Sequence, residues 1–259
     1  MISSVTNAAV KRIVLLQTRD KARRDEGLFI VEGVRMYMEV PAERLDSVYV
    51  TEGFLDHTSQ DVRERLSGTG YELVSDDVMK KMSDTMTPQG ILCLVRSYEY
   101  TLDDILSSGS LYMILDGLQD PGNLGTVFRT AEAAGAAGVV MSRGTVSIYN
   151  PKSIRSTMGT LFRMPFIYAD DLCDVIADLK SRGVCVYAAH LQGAVDYSSQ
   201  DYTGPGAFVI GNEGAGVSDA VAEASDMRIY IPMEGEVESL NAAIAASILM
   251  YEAHRQRSL

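Results

Sequence analysis

Apolar residues recur along this chain in two rhythms, a three-to-four-residue spacing and short unbroken runs, and the two alternate. Over residues 6–17, Val10, Ile13, Val14 and Leu16 fall at helical spacing, with Thr6 or Asn7 as the candidate N-cap. An apolar run at 28–31 predicts a strand, and 34–40 a helix. Strands at 47–50, 71–74 and 91–95 then alternate with helices at 60–66 and 76–82. This pattern predicts a small α/β domain over residues 1–96. The polar, weakly patterned string RSYEYTLD marks a linker, placed at 97–104.

The second domain, 105–259, alternates more clearly. Strands are predicted at 111–115, 138–141, 166–168, 184–189, 207–210 and 227–231. Helices are predicted from the region of Asn123 to Gly135, and at 152–161, 171–182, 218–224 and 239–255. Short strands separated by helices predict a mostly parallel sheet covered on both faces. Such sheets bind ligands in the loops at the carboxyl ends of their strands.

Composition narrows the function classes. The net charge of −12 argues against a general nucleic-acid coat protein. The charge is uneven, however: residues 1–24 hold Lys11, Arg12, Arg19, Lys21, Arg23 and Arg24 against the single acid Asp20. That stretch reads either as a solvated helix face or as a phosphate-contacting patch. Cys93, Cys173 and Cys185 lack C-x-x-C spacing, and His57, His190 and His254 are scattered. Neither a disulfide framework nor a metal centre is expected. No apolar run reaches the roughly 18–20 residues that span a bilayer, so no membrane partner is expected. The first residues show no signal-peptide pattern, which makes the cytoplasm the expected location.

Three segments carry candidate chemistry. In LDGLQDPGNLGTVFRTAEAAG (115–135), Pro121 and Gly122 turn the chain, Asn123 is placed to cap the next helix, and Arg129 lies within that helix. In FVIGNEGAGVS (208–218), three glycines allow close approach of a ligand to the backbone, and Glu213 sits among them. Their order, G-x-x-G-x-G, is not the dinucleotide fingerprint, and no Walker A string is present. In IPMEGEVESLNAAIAASILMYEA (231–253), Ser239 is the candidate N-cap of a helix of small residues, and Ser239 and Asn241 bring a hydroxyl and an amide to its first turn. Alone, each segment also fits a cap, a salt bridge or a turn.

Together and in this order they resemble the three motifs of the SpoU (TrmH) branch of the SPOUT RNA methyltransferases. SIRSTMGTLFRMPF (153–166) resembles the segment between the first two motifs, so the similarity covers roughly residues 110–257. NAAVKRIVLL and GLFIVEG are similar to the L30e-like substrate-binding domain that often precedes this catalytic domain. The resemblance implies transfer of a methyl group from S-adenosylmethionine to a ribose 2′-hydroxyl of RNA. It also implies a trefoil knot, an exception to the unknotted-chain rule, gathering 188–193, 209–216 and 231–243 around the methyl donor.

The resemblance further assigns Arg129 to hydroxyl activation or phosphate binding, and Asn123 to orienting Arg129 or the ribose. Glu213, Ser239 and Asn241 complete the implied catalytic set. Ala189, His190, Leu191, Gly193, Ile210, Gly211, Asn212, Gly216, Ile231, Met233, Leu240, Asn241 and Ala243 form the implied donor site. Asn212 stands where many relatives carry serine. The six cations of residues 1–24 become expected RNA contacts, and a homodimer is implied. Ribosomal RNA is the preferred substrate, with transfer RNA or a non-catalytic ribosome-assembly role on the same fold as alternatives.

Overall fold

A computed structural model describes residues 1–237 and 239–258. The chain opens with α1 (Ala8–Thr18), α2 (Asp20–Glu26), β1 (Leu28–Glu32), α3 (Val34–Glu39), β2 (Leu45–Val50), α4 (Glu52–His57), α5 (Gln60–Thr69), β3 (Glu72–Leu73), α6 (Asp76–Met82) and β4 (Ile91–Arg96). It continues with α7 (Leu102–Ser107), β5 (Leu111–Asp116), α8 (Pro121–Ala133), β6 (Gly138–Ser142), α9 (Pro151–Thr157), β7 (Phe166–Ala169) and α10 (Leu172–Ser181). The last elements are β8 (Cys185–Ala189), β9 (Val195–Asp196), β10 (Gly206–Gly211), α11 (Asp219–Ala224), β11 (Met227–Tyr230) and α12 (Ala242–Arg257).

Two compact units form. The first comprises Met1–Tyr98 together with Ser147–Phe162. Its sheet has the order β1-β4-β2-β3, with β4 antiparallel to β1 and β2 and β3 parallel to β2. The helical spacing at the start of the chain explains its core. Val10, Ile13 and Leu16 share one face of α1 and pack with Leu28, Ile30, Leu92 and Leu94 of the sheet and Val78, Met79 and Met82 of α6. Asn7, rather than Thr6, caps α1, its Oδ1 accepting from the Ala9 N–H at 2.8 Å. In the later segment, Pro151 starts α9 under an Asn150 cap, and Tyr149 stacks on Phe29 at 4.5 Å. The helix expected over 152–161 stops at Thr157 because Met158 (φ 53°) and Gly159 (φ 94°) turn left-handed.

The second unit comprises Glu99–Val146 and Arg163–Leu259. Its seven-stranded sheet has the order β7-β6-β5-β10-β8-β11-β9, and every neighbouring pair is parallel. The continuous apolar runs are explained by burial on both faces: all six residues of β10 and the first five of β5 are buried. From β5 the chain builds β6 and β7 on one side, and β10 and its neighbours stand on the other. The strand order therefore reverses at the β5–β10 boundary, where the loops of an open parallel sheet form a crevice.

Two helix starts differ from expectation. Asp120, not Asn123, caps α8: its Oδ1 accepts from the Asn123 N–H at 2.8 Å, and Pro121 occupies the first helical turn with its φ already set. Asn241, not Ser239, caps α12, its Oδ1 accepting from Ala243 and Ile244 N–H groups. The segment expected as linker also contains the start of α7, stabilised by a reciprocal cap between Thr101 and Asp104. Among the described residues, no helix is long and apolar enough to cross a membrane.

Candidate functional site

The site grows from the carboxyl ends of β5 and β10, which run side by side with Asp116 opposite Gly211. Asp116 ends its strand by accepting from the Ser218 N–H at 2.9 Å and the Ser218 hydroxyl at 2.7 Å. The next residue, Gly117, turns with φ 75°. Its N–H donates to Ser142 Oγ, and its carbonyl accepts from Asn212 Nδ2, both at 2.9 Å. Asn212 Oδ1 in turn accepts from Gly214 and Ala215 N–H groups, folding the glycine-rich loop over itself. Gly211 cannot be anything larger, since a Cβ there would lie 2.0 Å from the Gly216 carbonyl carbon.

Glu213 is the junction of the site. One carboxylate oxygen accepts from the Asp120 N–H and from Asn123 Nδ2, each at 2.9 Å; the other accepts from the Gln119 N–H at 2.9 Å. Asn123 then passes the connection on, its Oδ1 accepting from Asn241 Nδ2 at 2.9 Å. Each asparagine amide is fixed at both ends, and Glu213–Asn123–Asn241 form one chain of hydrogen bonds through all three sequence motifs. Desolvation opposes the Glu213 charge, yet the Asn123 amide and the Gln119 and Asp120 N–H donors outweigh it and hold its pKa below the usual carboxylate range.

The segments expected to hold a cofactor leave neighbouring strands. β8 lies between β10 and β11, so the segments that begin at 189, 211 and 231 leave adjacent strand ends. The His190 N–H donates to the Ile229 carbonyl at 2.9 Å, and its Nδ1 accepts from the Gln192 N–H at 3.1 Å. Ala189, His190, Ile231, Met233 and Leu240 are half-buried, Ile210 and Ala243 are buried, and Leu191 and Gly193 are exposed. Segments 188–193, 209–217 and 231–243 contain no lysine or arginine, but they contain Glu213, Glu234, Glu236 and Glu238. That charge pattern is unsuited to a pyrophosphate and suits a cationic cofactor such as a sulfonium.

Arg129 stands on α8, exposed and without a hydrogen-bond or ion-pair partner among the described residues. Ser239 is exposed and makes no side-chain hydrogen bond among the described residues. Half of the expected basic patch of the first unit is occupied. Arg12 pairs with Glu26 at 2.6 Å and Arg24 with Asp20. Arg23 is only 4% exposed and donates to the Leu16 carbonyl at 2.7 Å as well as to Asp20. It clamps the α1–α2 turn, so burial removes it from any phosphate contact. Lys11, Arg19 and Lys21 remain exposed.

Asp116, Gly117, Gln119, Asp120, Ser142 and Ser218 form the frame that sequence reasoning missed. Only Asp120 carried a readable signal, as an acidic residue directly before the proline of a helix start. Among the described residues, no cluster of His, Cys, Asp and Glu is arranged to hold a metal ion.

Comparison with known proteins adds independent findings. The SpoU rRNA Methylase family matches residues 110–251, and the MRM3-like substrate binding domain matches residues 7–93. The 23S rRNA (guanosine(2553)-2'-O)-methyltransferase RlmP of Bacillus subtilis (strain 168) is 35% identical over 96% of this chain and 97% of its own length. The AdoMet-bound rRNA methyltransferase from Sinorhizobium meliloti superposes with a TM-score of 0.85 at 32% identity, covering 98% of this chain and 97% of that one. The SpoU methyltransferase AviRb from Streptomyces viridochromogenes, in complex with AdoMet, reaches a TM-score of 0.87 at 29% identity, covering 97% and 98%.

Proposed function

Because this chain belongs to the SpoU rRNA methylase family, we propose that it methylates a ribose 2′-hydroxyl of ribosomal RNA at the expense of S-adenosylmethionine. The observation that carries the reading is the hydrogen-bonded chain Glu213–Asn123–Asn241 at the β5–β10 switch point. The donor supplies an activated methyl on a positively charged sulfur. The half-buried Ala189, Ile231, Met233 and Leu240 suit its uncharged adenosine, and the acid-rich, cation-free loops suit its charge. The same three loops are those that the family's trefoil knot gathers, and the knot is part of this reading.

What the protein must do is hold a weak nucleophile in line with the methyl and take charge of one proton. Arg129 is the group we assign to that task. An arginine stays protonated under ordinary conditions, so it acts as a donor to the RNA. Its guanidinium grips a phosphate and the attacked hydroxyl together, stabilises negative charge growing on the 2′-oxygen, and directs the released proton to a phosphate oxygen or water. No acidic partner occupies its donors among the described residues. Asn123 and Asn241 fix the loops that present the ribose to the donor, with the Ser239 hydroxyl beside them. Lys11, Arg19 and Lys21 remain the RNA contacts of the basic stretch.

Full-length relatives named for ribosomal RNA favour that substrate over transfer RNA. They are bacterial, and we place the reaction in the cytoplasm as a homodimer. Replacing Arg129 by Ala is expected to lower kcat for methyl transfer at least about a hundredfold, in the range of removing one transition-state donor. Donor affinity should stay within about twofold by calorimetry. Wild-type turnover in R129A would refute the assignment.

A further inference from the structure

A cleft of the first unit lies away from the catalytic and donor-site residues described above. It encloses about 700 Å³ between α4, α6 and the loop before β4, within the size range of small-ligand pockets. We infer that this cleft, lined by Phe54, His57, Lys80 and Gln89, holds a single unpaired nucleotide of the RNA substrate. The inference rests on the reading of the protein as an RNA methyltransferase.

The cleft is built rather than incidental. Its loop wall is pinned to the start of α3. Glu32 accepts from the Asp84 N–H at 3.1 Å and from the Thr85 hydroxyl, and Gln89 Oε1 accepts from the Val34 N–H at 3.0 Å. Its floor is closed at Gly90, which turns with φ 84°; a Cβ there would lie 2.7 Å from Thr51 Oγ1 and 2.8 Å from Phe54 Cβ. His57 is held against its own helix by Nδ1 at 2.8 Å from the Gly53 carbonyl. A preformed wall spares a ligand the ordering cost of making one.

The lining selects the ligand class. Phe54 and His57 supply two flat rings, and rings are what unstacked bases use on single-stranded binders. Because Val34 occupies Gln89 Oε1, the Gln89 amide nitrogen is left to donate to a carbonyl oxygen of a base. Lys80 is exposed, without a hydrogen-bond partner among the described residues, and serves one phosphate. The only other charged side chain in the lining is Asp76. One cation against one carboxylate does not suit a free di- or triphosphate. It does suit one nucleotide within a chain, recognised by its base and carrying one bridging charge.

Two variants of the full-length protein test this, Phe54→Ala and Lys80→Gln. Filter binding to an unmodified 23S rRNA transcript should weaken about tenfold in each, as loss of one base stack or one phosphate contact predicts. Binding to a fully paired RNA hairpin should change less than twofold. In methyl transfer, KM for the transcript should rise about tenfold while kcat at saturating RNA is retained. S-adenosylmethionine affinity measured alongside verifies the fold, and Lys80→Gln, being on the surface, carries the test if Phe54→Ala is unstable. Wild-type affinity for the transcript in Lys80→Gln, or an equal loss on the paired hairpin, overturns the cleft assignment. Absence of methyl transfer to the transcript by the wild-type protein would overturn the enzymatic reading instead, while the two binding measurements still decide the cleft.

Discussion

Glu213 accepts three hydrogen bonds from residues ninety or more positions earlier, so its charge joins the loops. Its pKa is depressed in the folded state, against about 4.3 for an unperturbed glutamate. A depressed carboxylate adds stability above its unfolded pKa, and that stability is lost as pH falls through the folded value. The gap in Tm between the wild type and Glu213→Gln should therefore narrow as pH falls from about 5 to about 3. A gap independent of pH would show that the charge contributes nothing. At pH 7, Gln presents an amide group to donors that expect an acceptor, so Glu213→Gln should also weaken donor binding. Asn123, Glu213 and Asn241 were singled out from motif order, yet their mutual bonding was not legible. No local pattern states that residues 90 and 118 positions apart share hydrogen bonds. Arg23 shows the reverse error: its charge was legible, but its burial under the α1–α2 turn depends on packing.

At the scale of elements, period and burial served well where one face meets a core. The α1 stripe of Val10, Ile13 and Leu16 is an example, and the unbroken apolar runs of β5 and β10 marked strands buried on both faces. Helix starts were harder, because several residues able to cap lie within one turn. Asp120 and Asn241 took the role from Asn123 and Ser239, which frees the Asn123 side chain to bridge Glu213 and Asn241. The close turn after β10 yields a sharp expectation. Gly211→Ala forces a methyl into the Gly216 backbone, so the loop must open. Stability should fall by about 1–3 kcal/mol, the range for overpacking, and donor affinity by more than tenfold. Unchanged Tm and affinity would contradict the loop geometry. On α12, Ile244 and Tyr251 are each about half exposed and lie two turns apart on one face. If this face joins the proposed dimer, Ile244→Glu should shift the protein to monomer in light scattering. A dimer of unchanged stability would exclude the face.

The whole molecule combines two units whose membership is not sequential. Ser147–Phe162 follows β6 in the chain, yet it packs with the first unit through Tyr149 on Phe29. The sequence reading assigned that segment to the catalytic domain, because motif order follows the chain and carries no information about a segment leaving one core for another. In the proposed function the first unit, whose residues 7–93 match a substrate-binding domain, holds RNA, and the second holds the donor at the parallel-sheet switch point. The most direct test is therefore the chemistry. Full-length protein is incubated with methyl-labelled S-adenosylmethionine and an unmodified 23S rRNA transcript, and the RNA is then hydrolysed with alkali. The label should be recovered in an alkali-resistant dinucleotide, the mark of a 2′-O-methylated ribose, and its initial rate of incorporation should fall at least about a hundredfold with R129A. Label on a base, or none transferred to the RNA, would contradict the central claim.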